Sequence, residues 1–188
     1  MVRIARDNMT LKGVALLLLF VLALGAAAQP PATEYEVKAA YLLNFGKFIK
    51  YPSTGTTEQF SICVLGDDPF GQILDSTVRD EKIAGKRVVA RRIRYVQDVS
   101  GCQVLFISRS EERQARKILQ SLNKTSVLTV SDMPGFLDRD GMIQFAFVGN
   151  RVRFEVNLDA VQGAGLTLSS ELLKVASFIK GKGRAVTP

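Results

Sequence analysis

The chain of 188 residues contains no histidine. This absence excludes Ser-His-Asp and Cys-His nucleophilic machinery and every metal site built on imidazole. It also removes the most common general base and the usual pH switch near neutrality. Because the remaining residues assemble no catalytic set, the sequence predicts a protein that is not an enzyme.

The motifs for nucleotides and metals are missing as well. Gly66 to Gly71 has the wrong spacing for a dinucleotide-binding loop, and Pro69 removes a backbone donor from it. No phosphate loop ending in Gly-Lys-Ser/Thr occurs. Asp132, Asp138 and Asp140 follow no complete calcium-loop spacing, so they are interpreted as solvated turn acids. We therefore predict no cofactor and no metal.

Residues 1–28 have the three parts of a secretory signal peptide. Basic residues come first, Val14 to Leu24 forms an apolar run of 11 residues, and Ala26 to Ala28 supplies small residues for cleavage. The alternative is a retained anchor, although a bilayer core needs about 20 apolar residues. We expect a periplasmic protein with one domain over residues 29–180 and a flexible basic tail over 181–188.

The charge is modestly basic. Cleavage removes three basic residues and one acidic residue, which lowers the net charge from +7 to +5. The densest basic run, Lys86 to Arg94, alternates like a strand with one wet face, and we interpret it as a solvated sheet edge. The alternative is contact with an acidic partner or with anionic lipid. Export makes nucleic acid an improbable target, so no nucleic-acid partner is expected.

Only two cysteines occur, Cys63 and Cys102, each in or beside an apolar run typical of a strand. In an oxidising compartment an even count favours pairing, and two strands of one sheet would bring the sulfurs together. The alternative is two separate buried thiols that pack as small apolar groups.

Predicted strands and helices alternate along the chain. The predicted strands are 59–65, 86–94, 103–107 and 126–130, followed by an antiparallel hairpin of 142–148 and 151–157 around Gly149-Asn150. The predicted helices are 34–50, a short one from Asp68 to about 76, 110–122, a short one beginning at Leu158, and 169–179. This order predicts a three-layer α/β sandwich with a mainly parallel sheet and the hairpin at a sheet edge.

Parallel sheets bind ligands beyond the carboxyl ends of their strands. Three predicted loops lie there and supply the candidate ligand-binding residues Asp67, Asp68, Ser108, Arg109, Ser131 and Asp132. Hydroxyls and an arginine at such loops would suit a small anion. The alternative is that the same residue types cap helices and turns.

An apolar loop follows the fourth predicted strand. Its candidate partner-binding residues are Met133, Pro134, Phe136 and Leu137. If these side chains are exposed, they form a lip that binds a partner protein. If they are tucked in, they cover one end of the core.

Several segments together resemble the YfiR family, and the similarity covers nearly all of residues 34–177. The segments are Glu36–Phe45, Cys63–Gly71, Leu105–Ser108, Ser131–Phe136, Arg153–Asn157 and Leu168–Ala176. The resemblance implies a Rossmann-like α/β fold, dimers and redox sensitivity through disulfides. Cys63 and Cys102 match one cysteine pair of the family, whereas Phe136 to Phe147 contains no counterpart of the second pair.

The resemblance also implies a function. Its known member is a periplasmic repressor that binds the periplasmic part of an inner-membrane diguanylate cyclase, and an outer-membrane lipoprotein sequesters it, which raises cyclic-di-GMP and biofilm formation. We therefore expect a non-catalytic periplasmic regulator that binds and restrains such a membrane signalling enzyme. The alternative hypothesis is a periplasmic sensor module that binds a small ligand.

Overall fold

The computed structural model of the chain describes residues 33–52, 58–123, 125–149 and 151–181. The predicted signal peptide and nearly all of the predicted basic tail lie outside the described residues. Of the helices within those ranges, none combines the length and apolar character that crossing a bilayer requires.

Five α-helices and ten strands make up the described chain. The helices are α1 Glu34–Phe48, α2 Gln72–Val78, α3 Ala115–Ser121, α4 Leu158–Gly163 and α5 Ser170–Val175. The strands are β1 Ile49–Lys50, β2 Gln59–Leu65, β3 Lys82–Ile83, β4 Lys86–Ile93, β5 Cys102–Ile107, β6 Leu128–Ser131, β7 Ile143–Val148, β8 Arg151–Asn157, β9 Thr167–Leu168 and β10 Phe178–Lys180. Short 3-10 helices occupy Val96–Val99, Arg109–Gln114 and Leu137–Arg139.

Eight strands form one sheet in the order β10-β8-β7-β6-β5-β2-β4-β3. The run from β4 through β2, β5 and β6 to β7 is parallel, as is the pair of β8 with β10. The β7–β8 hairpin and the β3–β4 pair are antiparallel, and β1 pairs with β9 in a separate two-stranded sheet. This mainly parallel sheet with helices confirms the predicted α/β class.

The core has two parts because successive side chains of a strand point to opposite faces of the sheet. In β2, Phe60, Ile62 and Val64 join a cluster with α1, α2, α4 and α5. Cys63 and Leu65 join a second cluster with α3. Helices therefore cover both faces, as a three-layer sandwich requires.

The first helix begins where its capping residues predict. The hydroxyl of Thr33 accepts from the amide of Glu36, and the Glu36 carboxylate accepts from the amide of Thr33, which completes a capping box. The helix ends at Phe48, two residues earlier than predicted. Ile49 and Lys50 leave it because they pair with Leu168 and Thr167 as β1 and β9.

The C-terminal prediction was wrong in one respect. The last helix ends at Val175, and Phe178–Lys180 forms β10 beside β8. The amide and hydroxyl of Ser177 both donate to the carbonyl oxygen of Phe154, which draws the chain into the sheet. The hairpin is therefore an inner part of the sheet rather than its edge.

The basic run forms β4, which is also not the outermost strand of the sheet. The short strand β3 pairs with Lys86 and Arg87 on the side of β4 away from β2. Arg91 donates to the carbonyl oxygens of Ser100 and Asp98. Part of the basic run therefore makes contacts within the chain.

Candidate functional site

A disulfide joins Cys63 of β2 to Cys102 at the start of β5, with the two Cα atoms 5.9 Å apart. This confirms the predicted pairing. Both residues are buried in the cluster beneath α3. Arg91 lies against the bridge, with its Nη1 3.9 Å from the Sγ of Cys102. The bridge thus cross-links two neighbouring parallel strands in the centre of the sheet.

The loops after β2 and β5 interlock at the carboxyl edge of the sheet. The amide of Asp67 donates to the Oγ of Ser110 at 2.9 Å, and the amide of Ser108 donates to the carbonyl oxygen of Leu65 at 3.0 Å. Gly66 has a φ of +86°, and a Cβ there would collide with the Ser110 hydroxyl. Glycine is required because the two loops approach so closely.

A buried lysine reaches the same edge from α1. The side chain of Lys38 is 2% exposed, and its Nζ lies 2.5 Å from Oδ2 of Asp132 in the loop after β6. Lys38 also pairs with Glu34, one turn earlier on the helix. Its Nζ stands 4.5 Å from the centre of the Tyr35 ring, a favourable position for a cation.

Arg109 completes this group. Its Nε lies 3.3 Å from Oδ1 of Asp132, and its Nη2 donates to the Asp132 carbonyl oxygen at 2.9 Å. The hydroxyl of Tyr35 donates to Oδ2 at 3.3 Å. Burial, reinforced by the Asp132 carboxylate, raises the pKa of Tyr35, so the hydroxyl keeps its proton. We call Glu34, Tyr35, Lys38, Arg109 and Asp132 the Asp132 cluster.

The cluster ties the first turns of α1 to the ends of two central strands. The side chain of Asp132 is 4% exposed and receives three donors, whereas that of Arg109 is 61% exposed. A buried charge is tolerated when it is paired and hydrogen-bonded in this way. The arrangement therefore performs a structural task, with Arg109 as its solvent-facing member.

Other candidate ligand-binding residues serve turns. Asp68 accepts from the amide of Phe70 and pairs with Arg92 rather than capping a helix. The Oγ of Ser131 donates to the carbonyl oxygen of Ile107 and accepts from the amide of Met133.

Ser108 caps the 3-10 helix that follows it, because its Oγ accepts from the amide of Ser110. Asp67 and Arg109 keep exposed side chains. A ligand-binding role for the six residues stays a prediction.

Arg92 fastens the loop that follows β2. It forms a bidentate pair with Asp75 at 2.7 Å for both bonds, and it pairs with Asp68 at 2.8 Å. The hydrogen bonds that Arg92 donates to the Asp75 carboxylate raise the pKa of its guanidinium. Arg92, like Arg91, is therefore held by contacts within the chain.

The apolar loop after β6 is mostly interior. Met133 and Phe136 are fully buried and Leu137 is 4% exposed, whereas Pro134 is exposed. The ring of Phe136 packs so closely on Gly141 that a Cβ there would overlap it. Of the two alternatives for this loop, the second holds for Met133, Phe136 and Leu137, which are tucked in and close one end of the core, and only Pro134 is exposed. A partner contact at this loop stays a prediction that concerns Pro134.

The sequence interpretation missed Lys38, Tyr35 and Glu34. The signal was present, because Lys38 shares a helix face with Leu42 and Phe45 at spacings of four and seven residues. A lysine in such a position is buried only when an acid meets it. The acid, Asp132, is 94 residues away in the sequence.

A cavity of about 400 Å³ lies between α3, α4 and the end of β10. Its basic side chains are used by the fold. Arg139 donates to the carbonyl oxygen of Pro134 and pairs with Glu112, and Lys180 donates to the carbonyl oxygen of Leu137. Within the described ranges, no three cysteine or carboxylate side chains gather where a metal ion would fit.

A family model described as YfiR/HmsC-like matches residues 35–177. A solved structure of a conserved domain protein from Vibrio cholerae O1 biovar El Tor strain N16961 superposes with a TM-score of 0.54 at 12% identity. The match covers 79% of this chain and 60% of that one. At this identity the likeness shows the fold alone.

Proposed function

The chain belongs to the YfiR/HmsC-like family, and on that basis we propose that it is a non-catalytic periplasmic regulator. It binds a membrane signalling enzyme of the diguanylate cyclase type and restrains it, which lowers cyclic-di-GMP and biofilm formation. The observation that carries the proposal is the family match, which spans residues 35–177 and so includes all of the main sheet except β10.

The disulfide supports the periplasmic location. Disulfides form and persist in oxidising compartments and are rare in the cytoplasm. The bridge between Cys63 and Cys102 lies inside the core, so it belongs to the folded domain. Together with the predicted signal peptide at residues 1–28, it favours export.

A protein without catalytic groups regulates an enzyme by binding its states unequally. If the partner alternates between inactive and active conformations, preferential binding to the inactive one shifts the population by the difference in affinity. The proposed partner is an inner-membrane protein with a periplasmic domain. An outer-membrane lipoprotein that competes for the regulator would release the enzyme, and the regulator acts as a homodimer.

Deleting the gene tests the proposal directly. We expect cyclic-di-GMP to rise in the deletion strain and to return to its original level with the wild-type gene. A photo-crosslinking residue in place of Pro134 should capture a membrane protein with a periplasmic domain. The same residue in place of exposed Asp80, in the turn before β3, is the control and should capture none.

Unchanged cyclic-di-GMP with no membrane protein captured would contradict the proposal. A thermal shift with a small anion or amino acid that Arg109→Ala abolishes, combined with unchanged cyclic-di-GMP, would favour the sensor hypothesis instead. The two experiments therefore separate a partner-binding regulator from a ligand-binding module.

A further inference from the structure

The β7–β8 hairpin projects beyond the carboxyl edge of the parallel sheet. The last residues of β6 to pair with β7 are Val130 and Ser131, which lie opposite Ile143 and Gln144. The rest of β7 continues past β6 and pairs only with β8, as far as Val148 opposite Arg151. Four residues at about 3.3 Å each give a projection of roughly 13 Å.

The projecting end carries apolar side chains that the fold leaves uncovered. Phe147 is 56% exposed and Val148 is 52% exposed. Val175, at the end of α5, is 58% exposed and lies beside the same hairpin, because Ser177 donates to the carbonyl oxygen of Phe154. These are three of the five large apolar side chains that are exposed in the described part of the chain.

The charged side chains nearest the end of the hairpin are two arginines. Arg151 lies opposite Val148, and Arg153 follows two residues later on the same face of β8. Neither arginine side chain forms a hydrogen bond or an ion pair with another described residue. Lys174, next to Val175, is exposed, and the sequence from Ile143 to Arg153 contains no acidic residue.

We infer that this projecting end, formed by Phe147, Val148, Arg151 and Arg153, docks on an anionic lipid surface. Phe147 and Val148 enter the boundary between headgroups and acyl chains, and the two arginines contact lipid phosphates. An anionic lipid surface fits because exposed apolar side chains and two arginine side chains without partners in the described chain meet at the end of the hairpin, beyond the last residues that pair with β6. This inference stands independently of the proposed regulatory function.

Vesicle flotation tests the inference with the protein as recovered from the periplasm of producing cells. Phosphatidylglycerol vesicles should bind the wild-type protein, and binding should weaken with added salt. Phosphatidylcholine vesicles should bind it far less. Phe147→Ser/Val148→Ser should lower the affinity at least about tenfold, since it removes the apolar area that enters the lipid.

Arg151→Gln/Arg153→Gln is a second variant at side chains without partners in the described chain, so it should fold normally. We expect it to lose about fivefold per arginine. Tyr95→Ser is the matched control, because Tyr95 is an aromatic side chain that is 67% exposed on a loop outside the hairpin. Its affinity should equal that of the wild type.

Three results would overturn the inference. The first is that the wild-type protein fails to bind phosphatidylglycerol vesicles. The second is that both hairpin variants, folded by circular dichroism, bind as well as the wild type or no worse than Tyr95→Ser. The third is that the hairpin variants lose binding to a protein partner while lipid binding is unchanged.

Discussion

Replacing Lys38 by methionine tests how much the Asp132 cluster contributes to stability. The side chains of Lys38 and Asp132 are 2% and 4% exposed, so the variant leaves a carboxylate in the interior without its nearest cation. Removing one partner of a buried ion pair typically costs about 3–5 kcal/mol. Arg109 remains 3.3 Å from Asp132. The expected loss in the free energy of unfolding is therefore about 3 kcal/mol.

Asp132→Asn should cost a similar amount, because Lys38 then keeps only Glu34, whose side chain is 38% exposed. If the two residues act together, Lys38→Met/Asp132→Asn leaves neither buried charge unpaired. The double variant should then lose about 4 kcal/mol, where additive effects would give about 6 kcal/mol. The coupling energy expected from this cycle is about 2 kcal/mol.

Urea unfolding followed by circular dichroism measures all four proteins, since the chain has no tryptophan to report by fluorescence. The pair Lys47–Glu81 is the matched control, with an Nζ–Oε2 distance of 2.9 Å but side chains 36% and 38% exposed. Its cycle should give a coupling below about 0.5 kcal/mol. A loss under about 1 kcal/mol for Lys38→Met, or additivity within about 0.5 kcal/mol, would refute the reasoning.

Two further predictions concern the bridge and the pH dependence of stability. Cys63→Ala/Cys102→Ala opens a loop with a sequence separation of 39, which should lower the free energy of unfolding by about 4 kcal/mol. Urea midpoints measure it, and a loss under about 1 kcal/mol would contradict it. Burial, and then the charge of Asp138, raises the pKa of Glu155 in the folded protein. The contribution of the Glu155 carboxyl to the free energy of unfolding is therefore fully present below about pH 4, and it is lost as the pH rises through the raised pKa. Glu155→Gln should therefore melt at a higher temperature than the wild type at neutral pH and at the same temperature in acid. Equal melting temperatures for the two proteins at neutral pH would contradict this.

The predictions that succeeded depend on neighbours in the sequence. The apolar content of Gln59–Leu65 located β2 at the predicted boundaries. The turn after Val148 predicted the antiparallel hairpin, whose register then follows from the length of the turn. The capping residue Thr33 located the start of α1.

The predictions that failed depend on partners far away in the sequence. Phe178–Lys180 continues a helical pattern in the sequence. It forms a strand instead because the side of β8 away from β7 offers backbone partners, with which these residues pair. Met133 and Phe136 are apolar residues in a loop, and apolar character alone does not say whether the fold covers them.

The sequence by itself determined the α/β class and the meeting of the strand-end loops, because strand alternation and parallel pairing bring the carboxyl ends of neighbouring strands to one edge. It favoured the pairing of the two cysteines, which the structure then showed. Only the tertiary structure decided what those loops do. Asp132 receives Lys38 and Arg109, while Ser131 and Asp68 serve turns. The physical reason is that burial removes water from Asp132, so its partners must come from whichever segment the fold brings within hydrogen-bond distance.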